Sequence, residues 1–154
     1  MKKLIALVLT LVSTLSLAGC NNTKEKQTST YFFCGESECF AISNGSIILT
    51  DTEEVFDGGD LELTQSDLFE EVISYSTTFY TLTNGNRRPI LSNSVIDQAG
   101  SSVNLKSDLG SISGEDIIDI TNISELKENL WFELKTTDLN GEETVYQIHL
   151  IFTE

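Results

Sequence analysis

The chain has 154 residues, room for one domain with a packed core. It carries 9 Lys and Arg against 24 Asp and Glu, a net charge of −15, and 40% of its residues are hydrophobic. The hydrophobic fraction argues against wholesale disorder, and the charge argues against nucleic acid as a partner. One Pro, one His and three Cys leave no proline-rich stalk and little material for a transition-metal site.

The N-terminus opens with Lys2 and Lys3, followed by an apolar run from Leu4 to Leu17 and then Leu17-Ala18-Gly19-Cys20. This resembles a bacterial lipoprotein signal peptide, with Leu17-Ala18-Gly19-Cys20 similar to its lipobox. The resemblance implies cleavage before Cys20, a diacylglycerol on its thiol and fatty acylation such as palmitate. A plain secretory signal or an uncleaved anchor is the alternative reading of the same residues. The run is short for a bilayer span, and no later run is long enough, so the lipid would be the anchor.

Removing residues 1–19 takes away two lysines and no acid, leaving 7 basic and 24 acidic side chains. Residues 20–30 read as a flexible tether. Asn21 to Thr30 is polar, lacks apolar periodicity and reaches at most about 35 Å. Residues 31–154 form the single expected domain, with 5 basic and 23 acidic residues. Such a surface repels anionic head groups and solubilises the domain. It also suits a cationic partner.

Cys34 and Cys39 are an even pair in an exported chain, spaced by Gly-Glu-Ser-Glu. If those four residues make a hairpin loop, the two thiols face each other and form a structural disulfide. Redox chemistry is a weaker rival, because it usually needs a tighter Cys-x-x-Cys at a helix start. Zinc is weaker still, with only His149 to add a neutral donor.

Beyond that loop the chain reads mostly as strands. Ser43-Asn44-Gly45-Ser46 has the composition of a two-residue hairpin turn, which would pair Ile42 with Ile47 and Phe40 with Leu49. The cysteine hairpin would pair Phe33 with Phe40 and Tyr31 with Ile42. Together they predict a three-strand meander over 31–51. Asp57-Gly58-Gly59-Asp60 reads as a turn and lacks the ligand alternation of a calcium loop. Thr64 with Asp67, Leu63 with Leu68, and the spacing of Leu68, Val72 and Tyr75 predict a short amphipathic helix near 64–75. Thr77–Thr83 and Arg88–Ile96 read as a strand pair around Asn84-Gly85-Asn86, with Pro89 at a strand start or edge. Residues 97–116 read as loops with one short strand near Val103 to Leu105.

The C-terminal segment sets its own register. Asp138-Leu139-Asn140-Gly141 fits a three-residue hairpin loop with a left-handed Gly141. The register puts Phe132 opposite Ile148, Leu134 opposite Tyr146 and Leu130 opposite Leu150 on one apolar face. Trp131 opposite His149, Glu133 opposite Gln147 and Lys135 opposite Val145 occupy the other. The segment from Ile123 through Leu130 to Gly141 resembles the end of a bacterial immunoglobulin-like or fibronectin-like domain, which implies a closing strand, turn and final strand. The expected fold is therefore mostly β, an antiparallel sandwich or sheet with one short helix, and α+β is the alternative.

Trp131, His149, Glu133 and Gln147 form the candidate binding face, since an exposed Trp beside His stacks on a sugar or anchors a protein contact. Cover by another element is the competing reading. No nucleophile motif accompanies His149, and acid pairs such as Glu53-Glu54, Glu70-Glu71 and Glu142-Glu143 follow from composition. No catalytic residue, metal or cofactor is expected. The expectation is a membrane-tethered binding module for a cationic protein or a glycan. The alternative is an inhibitor or immunity-type lipoprotein that blocks a cationic hydrolase such as a lysozyme. Small lysozyme-inhibitor lipoproteins share this plan of lipid, tether and β domain. A hydrolase ranks last.

Overall fold

The computed structural model describes residues 28–97, 101–118 and 123–153. Residues 1–19 and Cys20, which carry the expected signal peptide and lipid, lie outside them. Among these residues, ten strands form two antiparallel sheets packed face to face. The first sheet runs β10(Ile151–Thr153), β1(Ser29–Glu36), β2(Phe40–Leu49), β3(Glu54–Asp57), β7(Ser111–Gly114), and β4(Asp60–Leu63) also pairs with β2. The second runs β6(Asn86–Ile96), β5(Val72–Thr83), β8(Leu130–Asp138), β9(Glu143–His149). The helix α1(Ile123–Asn129) precedes β8. The mostly-β sandwich expected from the sequence is the observed architecture. Strand β1 begins at Ser29, so Ser29 and Thr30 belong to the sheet and not to the tether.

The core between the sheets is a chain of aromatic rings. Phe33, Phe56, Phe79 and Phe132 are all fully buried, with centroid separations of 5.4 Å for Phe33–Phe56, 5.1 Å for Phe56–Phe79 and 4.9 Å for Phe79–Phe132. Most of these pairs are tilted or edge-on, as the ring quadrupole favours. Phe40 continues the chain to Phe132 and Tyr146. Alternation along β8 places Leu130, Phe132 and Leu134 inside and Trp131 and Glu133 outside.

The N-terminal part differs from the expected meander. Asn44-Gly45 is not a hairpin turn but the middle of β2, which stays paired with β1 on both sides of it. Tyr31 faces Ile47 and Phe33 faces Gly45. Asn44, with φ 59°, is the extra residue of a bulge that opposes two residues to Cys34. Gly45 is required because the Phe33 ring lies on it: a Cβ there would sit 2.1 Å from a ring carbon. Opposite this bulge Gly58-Gly59 interrupts the partner strand, so β3 and β4 are two halves of one register along β2. The Asp57–Asp60 turn is observed. The Asp57 carboxylate accepts the Gly59 N–H at 2.9 Å, and Asp60 accepts the Asn44 amide at 2.8 Å.

The expected disulfide is also corrected. The β1–β2 loop is Ser37 to Cys39, tightened by the Ser37 hydroxyl, which accepts the N–H groups of Cys39 and Phe40. Both cysteines are free thiols. Cys34 lies between the inward Phe33 and Gly35 and so projects from the outer face. Cys39 packs against the core. The register pairs Gly35 with Ile42, so Cys34 lies opposite the Ser43–Asn44 bulge and not opposite Cys39, and a bridge would need the backbone to move.

The short helix near 64–75 is a single 3₁₀ turn, Ser66–Phe69, without a side-chain cap. Thr64 instead donates its hydroxyl to the Glu38 carbonyl, and Leu68 is exposed. From Val72 the chain is strand, because Val, Ile, Tyr and Thr run continuously from 72 to 83. Strands β5 and β6 join through Asn84-Gly85, both left-handed (φ 52° and 79°), as expected. Pro89 lies on the edge strand at a register shift. The strand expected near Val103–Leu105 is absent, and the short strand of that region is β7. Residues 103–110 instead run along the sandwich edge, with Val103 donating to Val72, and Leu109 to Gly59.

The C-terminal hairpin has the expected register throughout, including Trp131 opposite His149 and Glu133 opposite Gln147. Gly141 is left-handed at φ 80°. The Asp138 carboxylate accepts the N–H groups of Asn140 and Glu142, both at 2.8 Å. Two features depart from the strand, turn and final strand that the immunoglobulin-like resemblance implied. Ile123–Asn129 is helical, and β9 is not the last strand. At the fully buried Leu150 the chain leaves the second sheet, and Ile151–Thr153 pairs with β1 in the first.

Candidate functional site

Four strands bring the candidate residues together on the outer face of the second sheet. Pairing of β5 with β8 puts Tyr80 beside Trp131 and Thr78 beside Glu133. Pairing of β8 with β9 adds His149 and Gln147. The result is two parallel rows across the sheet. Tyr80, Trp131 and His149 form an aromatic row. Ser92, Thr78, Glu133 and Gln147 form a polar one, with the Ser92 hydroxyl 3.3 Å from that of Thr78.

Glu133 is the hub of the polar row. Its Oε2 accepts the Gln147 amide at 2.6 Å and the Arg87 guanidinium at 2.7 Å. Arg87 comes from β6, crosses the face, and stacks its guanidinium 3.8 Å from the centre of the Tyr80 ring. The Glu133 side chain keeps only 18% exposure. Burial alone would raise its pKa, but the hydrogen bonds from Gln147 and Arg87 outweigh it and hold the carboxyl below the usual range. Burial pushes Tyr80 up, against the lowering effect of Arg87. The hydrogen bond to Glu133 raises Arg87, so the pair stays ionised.

The aromatic row is fixed in the same way. Trp131 and His149 rings are 5.0 Å apart. His149 Nε2 lies 2.9 Å from the Glu128 carbonyl, which can only accept, so that nitrogen carries the proton and donates. His149 is thereby anchored to α1, and its orientation is set by backbone. The geometry suits a rigid amphipathic platform that stacks on a ring and hydrogen-bonds at its margin.

All four residues expected on the binding face therefore lie together. Tyr80 and Arg87 belong to the same network and were not expected there. Arg87 and Arg88 are the one adjacent basic pair in the sequence of residues 31–154. The Arg88 guanidinium donates to the Asp116 carbonyl at 3.4 Å. One member of each of two acid pairs serves structure: Glu54 accepts the Ile118 N–H at 2.8 Å, and Glu143 pairs with Lys135 at 2.7 Å. The described residues contain no group of three or more side chains arranged to hold a metal ion.

The chain matches no family model, no curated protein matches it, and no solved structure matches its fold.

Proposed function

We propose that the chain is an envelope lipoprotein, anchored by lipid on Cys20, whose acidic β-sandwich is a binding module. The observation that carries the binding reading is the preorganised face of Trp131, His149, Glu133 and Gln147. Its polar groups are held by Arg87 and Glu128, Tyr80 is buried under the Arg87 guanidinium, and Trp131 and His149 keep part of their rings at the surface. Side chains fixed before contact lose little entropy on binding. The anchor reading rests on the lipobox-like Leu17-Ala18-Gly19-Cys20.

A second reading is an inhibitor or immunity-type lipoprotein acting on a cationic hydrolase. It is favoured by the 23 acids against 5 bases over residues 31–154, a field that speeds encounter with a basic protein.

The test has two parts. Cells making the full chain are fed a clickable palmitate analogue, and the label is expected on the wild type and not on Cys20→Ala. The mature chain is then used in a detergent pull-down eluted by a salt step. A partner lost from Trp131→Ala supports the module. A single basic partner released by salt selects the inhibitor reading. No label on the wild type, or a partner indifferent to both Trp131→Ala and His149→Ala, overturns the proposal.

A further inference from the structure

A cavity of about 510 Å³ opens where the chain crosses from β9 to β10. Tyr31, Phe32 and Phe152 supply its aromatic walls, Lys127 and His149 its polar side, and Thr153 a hydroxyl at its rim. Its position follows from the crossing at Leu150. The same His149 that packs against Trp131 on the outer face also lines this cavity, so the aromatic row runs on into it.

Lys127 is set apart by its aromatic neighbours. Arg87 and Lys135 are each held by a carboxylate, and Lys106, like Lys127, has no ion pair among the described residues. Among the described residues Lys127 has no carboxylate within ion-pair distance, although the domain carries 23 acids. Its ammonium sits instead 5.2 Å from the centre of the Tyr31 ring and 5.9 Å from that of Phe152. A cation held over aromatic faces beside an open cavity has donors left for a ligand, and those donors favour an anion. The aromatic walls favour the apolar face of a ring.

The long-range field limits the choice. A strongly acidic domain repels polyanions, whereas a single negative group within a few ångströms of Lys127 is governed by the local charge, since salt screens exposed charges beyond about 8 Å. We infer that this cavity binds a short saccharide bearing one carboxylate, with Lys127 holding the carboxylate and the aromatic walls stacking on the sugar ring. The inference deepens the binding-module reading and rests on it.

The test uses the mature full chain in detergent micelles and the fluorescence of Trp131, the single tryptophan of the sequence. Three disaccharides of equal size are titrated: one ending in a hexuronic acid, one carrying its carboxylate on a lactyl ether, and one neutral. At least one acidic probe is expected to bind about tenfold tighter than the neutral one, and more weakly as salt is raised. The better acidic probe names the source of the carboxylate. Lys127→Gln, at an exposed helix position, is expected to erase the preference while leaving the unfolding curve in place. Lys106→Gln, on another edge, leaves the preference intact. Equal binding of acidic and neutral probes, an unchanged preference in Lys127→Gln, or no binding of any probe overturns the inference. If no probe binds but a protein partner is still captured through Trp131, this inference fails and the binding-module reading stands.

Discussion

Replacing Gly45 with alanine adds one methyl group at the point where β2 carries the Phe33 ring. The new carbon would lie 2.1 Å from one ring carbon and 2.5 Å from two others. Carbons in contact sit about 3.5–4.0 Å apart, so the ring would have to withdraw by about 1.5 Å. It has nowhere to go, because Phe56, Phe79 and Phe152 stand 5.4, 6.0 and 6.0 Å from its centre. Gly45 is not in the left-handed region, so backbone strain adds nothing. Without the clash, alanine in place of glycine would stabilise by about 0.4–1 kcal/mol through the unfolded chain. With it, overpacking costs about 1–3 kcal/mol, so the sign of the change is itself diagnostic. Phe33→Ala alone costs about 3–5 kcal/mol. In the double variant the methyl enters the space left by the ring, and its cost falls short of the sum of the two single costs by at least about 1 kcal/mol. Urea unfolding followed by Trp131 fluorescence measures all three values. A stabilised Gly45→Ala, or costs that add, would refute the reasoning.

Four further outcomes follow from the same structure. Leu150→Ala should cost about 2–5 kcal/mol in urea unfolding, because this side chain fills the crossing between the two sheets. The Asp138 carboxyl is held below its ordinary pKa by the Glu142 N–H first and then by Asn140. Its contribution to stability is therefore present above the unfolded value and lost as pH falls through the lower folded one. Asp138→Asn should flatten that acid limb in a pH series of unfolding curves. Glu133 is depressed likewise, and its contribution is lost in the same direction as pH falls through its folded value. Arg87→Met should move the Glu133 carboxyl resonance in an NMR titration toward the ordinary range, while costing no more than about 1 kcal/mol as a partly exposed pair. Mild oxidation of the folded domain should leave its intact mass without the loss that marks a Cys34–Cys39 bond; rapid formation of that bond would contradict the register that sets Cys34 opposite Ser43–Asn44.

The two Asn-Gly pairs show what the sequence could and could not reveal. Asn84-Gly85 is a hairpin turn and Asn44-Gly45 is a bulge inside a strand, yet both carry the same local signal. The difference lies in Phe33, which needs a residue without a side chain under its ring, and that contact comes from another strand. Likewise Leu68, Val72 and Tyr75 fit a helical spacing, but the β-branched and aromatic run after residue 71 pairs on both sides with β6 and β8. Tertiary pairing won over local periodicity there. The C-terminal hairpin was readable because Asp138 and Gly141 fix the turn and the turn fixes every facing pair. For the same reason Trp131, His149, Glu133 and Gln147 were found together. Tyr80 arrives through the β5–β8 pairing and Arg87 from β6, 46 positions from Glu133, and neither contact leaves a local mark.

The crossing at Leu150 also sets a timetable. The outer neighbour of β1 is β10, so the first strand of the domain is paired on both sides only once the last has emerged. Contacts between such distant segments close late, after the shorter loops between neighbouring strands. Clipping the final strand would expose the edge of β1, a template for pairing with other chains. The last few residues thus act as the latch of a domain whose first residues they hold.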